Sequence, residues 1–352
     1  MRGRCCTGWL AWVGLATLPV PAFAQPDPSG IQFVTVGSPG NAPFLQGIYT
    51  FNRGEVDYTY RIGKYEVTTS QWAEFMNAAF DRPSSDRLPF VNVPLAWGAA
   101  AITPTNPGGR HWTVSAANDM IPVGGISWRT AAMYCNWLCS GKSSQRSAFL
   151  SGAYDVSTFG YYNNGSTFTD QVAHSPGAAY WIPTLDEYLK AASYDPNRFG
   201  QGQGGWWAWL NQSNSTPVYG PPGVTVNGQP TTANSDHWFV TYPNSDPYAV
   251  PLGAYNVTSA FGLYDTAGAT TEWVEETVHF TDERYPRNRL TMGSSRDSLP
   301  GGADRTGATG SDYPSMIDSS YGLRVASSIP APATGLLMCV WCGPFLLRRR
   351  PA

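Results

Sequence analysis

Two carboxylates seven positions apart, Asp265 and Glu272, carry the clearest chemical signal in this 352-residue sequence. They lie in the stretch Phe261-Gly262-Leu263-Tyr264-Asp265-Thr266-Ala267-Gly268-Ala269-Thr270-Thr271-Glu272-Trp273-Val274. Carboxylates are hard oxygen donors. Gly262 and Gly268 permit backbone angles that other residues resist, so the chain between the two acids can aim carbonyl oxygens inward. Several oxygens of mixed type in a flexible cage are what calcium takes. The plainer reading of the same residues is a tight turn with two solvated acids.

Other candidate chemistry is sparse. His111, His174, His237 and His279 show no metal-ligand spacing. His111 stands beside Trp112, where a lone histidine is more often structural. Glu275 and Glu276 extend the acids of the central stretch and read as a solvated face. No nucleophile elbow and no phosphate-binding glycine loop occurs. Trp206, Trp207 and Trp209 cluster in a glycine-rich segment. They read either as an aromatic core under long loops or as a stacking surface for sugar rings. With only three lysines and no basic run inside the body, nucleic-acid binding is not expected.

The elements that must position these residues are short. Alternation predicts strands at 31–36 and 58–67. Thr68 and Gln71 form a capping-box pattern, and Trp72, Phe75, Met76 and Ala79 follow at helical spacing. Ser127 caps a second helix with Ala131, Ala132, Cys135, Leu138 and Cys139 on its inner face. Thr184 and Glu187 make a second capping box before a third. Residues 81–120, 140–176 and 201–230 are rich in Gly, Pro, Ser and Asn and predict irregular chain. A closing strand is expected at 321–325.

Gly262-Leu263-Tyr264-Asp265-Thr266-Ala267-Gly268-Ala269-Thr270-Thr271-Glu272-Trp273 resembles the C-terminal signature of the formylglycine-generating enzyme, or sulfatase-modifying factor, family, Gly-Leu-Tyr-Asp-Met-x-Gly-Asn-Val-Trp-Glu-Trp. Ala269 and Thr271 stand where the family has Asn and Trp. Four further landmarks follow in family order: Tyr65-Glu66-Val67-Thr68, Trp128 with Ala132, Tyr134, Cys135 and Trp137, Tyr180-Trp181-Ile182-Pro183-Thr184, and Gly322-Leu323-Arg324-Val325. The resemblance spans about residues 31–327. It implies an α+β fold like a C-type lectin, rich in loops. It also implies a structural calcium held by the side chains of Asp265 and Glu272 and the carbonyls of Gly268 and Thr270. A second calcium is implied at the Asn234 side chain, the Ser235 carbonyl, the Asp246 side chain and the Tyr248 carbonyl.

Catalytic members of that family oxidise a substrate cysteine to formylglycine with molecular oxygen, using copper(I) held by two cysteines in the C-terminal third. Thiolate is soft and selects Cu(I), whereas serine cannot replace it. This chain has no cysteine between Trp273 and Arg324, so copper is not expected.

The two ends read as targeting segments. Residues 1–24 carry Arg2 and Arg4, an apolar run and an Ala22-Phe23-Ala24 cleavage site, the pattern of a secretory signal peptide. Residues 330–352, with Pro330-Ala331-Pro332, an apolar run and Arg348-Arg349-Arg350, resemble a PEP-CTERM sorting signal of Gram-negative bacteria. A simple C-terminal membrane anchor is the alternative. Five of the 22 basic residues and none of the 25 acidic ones lie in these ends, which leaves the 25–329 domain at −8. Of six cysteines only Cys135 and Cys139 remain in it, read as two packed thiols, with a disulfide across one helical turn as the alternative.

The whole reads as an exported, envelope-anchored, calcium-braced binding or structural module with a glycan or protein ligand. The alternative is a formylglycine-generating oxidoreductase or a related oxygen-dependent enzyme.

Overall fold

The three capping signals in the sequence become three helix starts in the computed structural model, which describes residues 26–330 apart from 163–164, 166, 235–241, 243–244, 279–285 and 299–301. Helix α1 (Thr69–Phe80) opens on Thr68, whose side chain accepts from the Gln71 amide while the Gln71 side chain returns to the Thr68 amide. The orphan donors of the first turn are thereby paired within the chain. Ser127 caps α2 (Trp128–Cys139). After the one-turn α3 (Ser147–Leu150), Thr184 and Glu187 form the same reciprocal box on α4 (Leu185–Ser193).

The strands are short and form two four-stranded sheets. One takes the order β1-β2-β14-β5, from β1 (Phe33–Val36), β2 (Tyr60–Gly63), β14 (Ala326–Ser327) and β5 (Tyr180–Trp181). The other takes the order β12-β11-β10-β13, from β12 (Thr309–Asp312), β11 (Asn288–Met292), β10 (Thr271–Val278) and β13 (Tyr321–Gly322). The expected closing strand is therefore two strands. Residues 321–322 pair in parallel with β10, and residues 326–327 pair antiparallel with β2 and β5.

Three hairpins of two strands complete the set: β3 (Ala99–Ile102) with β4 (His111–Val114), β6 (Tyr194–Asp195) with β7 (Gly205–Trp206), and β8 (Thr225–Val226) with β9 (Gln229–Pro230). The first of these corrects the expectation of little regular structure at 81–120. The Asn77 amide on α1 bonds both the carbonyl and the N–H of Trp112, which docks β4 on the helix.

The main core is aromatic. Trp72, Phe75, Tyr134 and Trp137 from α1 and α2 pack ring against ring at 4.9–5.9 Å. Trp128 and Trp273 are fully buried and donate their indole N–H groups to the carbonyls of Val274 and Ile126. Such rings bury large area, and pairing the N–H removes the cost of hiding it. Cys135 and Cys139 are free thiols on the same helix. The architecture is the expected loop-rich α+β fold. No helix among the described residues is long and apolar enough to cross a membrane. The proposed signal peptide and most of the proposed sorting signal lie outside the described residues.

Candidate functional site

The 261–274 segment folds as its glycines suggested. Gly262 and Gly268 take positive φ, as do Asp265 and Ala269. Gly268 makes a parallel bridge with Asn234, and a Cβ there would stand 2.5 Å from the Asn234 carbonyl oxygen, so only glycine fits. Glu272 then enters the interior, and Asp265 is half-buried. The plain reading as solvated acids does not hold for Glu272, which is 1% exposed.

Arg324, 0% exposed, sits against Glu272. Its Nε and Nη2 reach Glu272 Oε1 at 3.0 and 2.8 Å. The rest of the guanidinium donates to the carbonyls of Gly63, Lys64 and Tyr264 at 2.9–3.0 Å. Two more acids lie in this neighbourhood. Asp265 Oδ2 accepts from the Gly253 amide at 2.6 Å, and Glu66 accepts from the Thr270 amide and hydroxyl. Burial pushes Asp265 up to about 6, against the Gly253 amide and Arg324. Burial and then the charge of Glu272 push Glu66 well above the carboxylate range. Burial also raises Glu272, with Arg324 opposing it.

Glu272 Oε2 is buried and makes no hydrogen bond of good geometry, although the side chains of Tyr188 and Glu66 lie close enough to favour its charged form. An orphan carboxylate oxygen among raised acids suits a hard cation. Among the described residues no three His, Cys, Asp or Glu side chains converge in a metal-binding group. A cation here would therefore rest on Asp265 and Glu272 plus main-chain oxygens, of which Gly268 and Thr270 are the candidates.

The second predicted set adjoins the first through the Asn234–Gly268 bridge. Asn234 Nδ2 donates to the Pro247 carbonyl at 2.9 Å. Asp246 is exposed, and its Oδ1 accepts from the Tyr248 amide. Ser235, with His237 and His279, lies outside the described residues.

Beyond Tyr248 the surface opens into a cavity of about 430 Å³ lined by Trp97, Asn118, Ile121, Asp246, Tyr248 and Ser319. The Tyr248 hydroxyl donates to Asp297 at 2.5 Å, and the Arg296 guanidinium lies 4.3 Å from the Tyr248 ring centroid. Arg296 also donates to the Ser319 carbonyl at 3.0 Å, so both walls of this groove are braced. A second cavity, about 240 Å³, lies across the 318–321 turn and is lined by Thr271, Thr291, Gly293, Thr309, Gly310 and Tyr321. Ser294, next to Gly293 of the second cavity, is buried, accepting from the Gly268 amide and donating to Asp304.

No thiol lines either cavity. Cys135 and Cys139 are inside α2, where burial pushes both thiols up and holds them neutral; the Cys139 Sγ donates to the Tyr180 carbonyl. Neutral packed thiols are poor metal ligands.

The family described as "Sulfatase-modifying factor enzyme 1-like domain" matches residues 50–329. The chain belongs to this family. Solved structures similar to this sulfatase-modifying-factor domain include those described as "Crystal Structure of CarF", PvdO from Pseudomonas aeruginosa and Treponema denticola variable protein 1. CarF is 18% identical over 86% of this chain and 100% of its own, with a TM-score of 0.47. PvdO is 15% identical over 85% and 92%, at 0.42. The Treponema protein is 16% identical over 85% and 95%, at 0.44. No curated protein matches the chain at a significant level.

In this sulfatase-modifying-factor domain one sequence expectation needs correction. Glu275 and Glu276 are not a solvated face. Glu275 is 4% exposed and accepts from the Tyr154 hydroxyl and the His174 amide, with His174 Nδ1 at 3.0 Å. Glu276 pairs with Arg53 at 2.6 Å and accepts from the Leu185 amide. His174 stacks on Trp181 with ring centroids 4.7 Å apart, a position no local motif announced. The tryptophan cluster divides: Trp209 is buried at 7%, while Trp206 and Trp207 are half-buried, with Arg198 over Trp207 and Trp206 against Phe44 and Tyr194.

Proposed function

We propose that this domain is an exported binding module of the sulfatase-modifying-factor family that takes its ligand in the Trp97–Tyr248 groove and carries out no cysteine oxidation. The observation behind this reading is the wall formed by residues 291–321. Its cavity-lining side chains are Thr, Gly, Ala and Tyr, where oxidase chemistry would need a soft thiolate pair. A groove with Trp97 and Tyr248 on its sides and Asn118 and Asp246 at its rim offers ring faces beside polar groups. That combination suits a glycan or a polar peptide. The C-terminal segment would hold the module at the cell envelope.

The alternative is a formylglycine-generating oxidoreductase with displaced metal ligands. Oxygen uptake with a cysteine-containing sulfatase-type peptide separates the two, run with and without added copper. No uptake is expected under either condition, and turnover would overturn the binding-module reading.

Calcium belongs to the same proposal. Held by Asp265, Glu272 and the carbonyls of Gly268 and Thr270, it would brace a loop that also carries the Asn234 bridge. Asn234, Ser235, Asp246 and Tyr248 would form the second site beside the groove. Adding calcium is expected to raise the melting temperature, and Asp265→Ala to abolish that rise. A wild-type melting curve unmoved by chelator would remove calcium from the account.

A further inference from the structure

Helix α1 ends at Phe80, and Asp81 turns the chain by taking a whole loop onto its side chain. The Asp81 carboxylate accepts from the amides of Thr105 and Asn106 and meets His111 Nδ1 at 2.7 Å. These bonds, against the opposing effect of burial, hold it far below the carboxylate range. The loop is thereby drawn across the helix end, and the Arg110 amide bonds the Phe80 carbonyl. On the other side Arg82 donates to the carbonyls of Ala78 and Ser144 and pairs with Asp86 at 2.7 Å. Arg146 donates to the Arg87 carbonyl at 2.8 Å, which fixes the segment beyond Asp86.

Between these two supports lies a recess of about 100 Å³. Its apolar lining is Ala79, Phe80, Leu88 and Val91, and Gly108 with Arg82, Arg87 and Arg110 completes it. The three arginines are not equivalent. Arg82 is buried and fully engaged. Arg87 and Arg110 are exposed, and neither guanidinium has a hydrogen-bond or ion-pair partner among the described residues. The nearby acids are already matched: Asp86 to Arg82 and Arg146, and Asp81 to its loop amides and His111. In a domain of net charge −8 this is a local surplus of positive charge around an apolar floor.

We propose that this recess binds a small apolar carboxylate, with its anionic end at Arg87 and Arg110 and its body against Phe80, Leu88 and Val91. Guanidinium matches a carboxylate with paired, charge-assisted hydrogen bonds. A dry cavity of ~150 Å³ admits benzene, so this smaller recess encloses only part of one ring or a short chain, the remainder resting at its open rim.

Titration calorimetry on the full chain tests this with benzoate and hexanoate as probes. Benzamide tests the charge, and acetate and inorganic sulfate test the apolar body. Benzoate and hexanoate are expected to bind saturably, and benzamide, acetate and sulfate at least tenfold more weakly. Arg87→Gln and Arg110→Gln are each expected to lower benzoate affinity at least tenfold. Their melting curves should match the parent's, because both side chains are exposed and unpaired. Absence of saturable benzoate binding, sulfate binding as tight as benzoate, or unchanged affinity in both Gln variants would each overturn the assignment.

Discussion

Arg324→Met is expected to cost about 3–5 kcal/mol, the loss that follows when one member of a buried ion pair is removed. The guanidinium is fully buried and holds Glu272 Oε1 and three main-chain carbonyls, of Gly63, Lys64 and Tyr264. Methionine fills similar volume and supplies none of those donors. It leaves Glu272, Asp265 and Glu66 in a low-dielectric interior without their nearest positive charge. A domain is stable by only about 5–15 kcal/mol in all, so the variant should lose a large part of its margin and unfold at much lower urea. Lysine should not rescue it, since one ammonium cannot span the fork that reaches a carboxylate and three carbonyls. The double variant Arg324→Met with Glu272→Met removes both charges and should recover part of the loss. A single variant within 1 kcal/mol of wild type in urea would show that the pair contributes little.

A second large effect should appear as a pH dependence at Glu276. Burial pushes this carboxyl from its ordinary 4.5 to about 7, with Arg53 and the Leu185 amide opposing and Asp186 and Glu275 adding to the rise. A carboxyl whose folded value lies above its unfolded one binds its proton more tightly when folded. Its contribution favours folding below 4.5 and is lost as the pH climbs to about 7, by about 3 kcal/mol at most. Glu276→Gln imitates the protonated state at every pH. It should match wild type near pH 5 and exceed it by about 1–3 kcal/mol near pH 9, the lower figure allowing for the lost attraction to Arg53. The difference between the two proteins matters, because Asp27, Asp81 and Asp155 are all held low and weaken both proteins alike in acid. Parallel melting curves across that range would refute the effect of burial.

What could be read along the chain was what the chain decides locally. The Thr68–Gln71 and Thr184–Glu187 boxes need only residues three apart, and both form. The turn residues around Gly268 were legible because a glycine tolerates an angle that few others do. The hairpin of β3 and β4 was not, since Ala99-Ala100-Ala101-Ile102 has no alternation and is held by β4, which Asn77 of α1 docks through Trp112. Glu275 and Glu276 looked like surface acids because their partners Tyr154, His174 and Arg53 lie 101 to 223 residues away. The groove is hidden for the same reason, with Trp97 and Tyr248 brought together from two distant loops. Asp265 and Glu272 were found by type and spacing, but their burial and the role of Arg324 belong to the folded state.

Residues 321–327 serve both large sheets, with Arg324 between the two short strands. The second of them, β14, is an interior strand held on one side by β2 and on the other by β5. Any pull applied past residue 330 would enter there as shear along two ladders at once. It would have to break both before the load reached the guanidinium lock at Arg324 behind them. The last stretch of the domain is therefore built like the spliced end of a rope, suited to carrying tension.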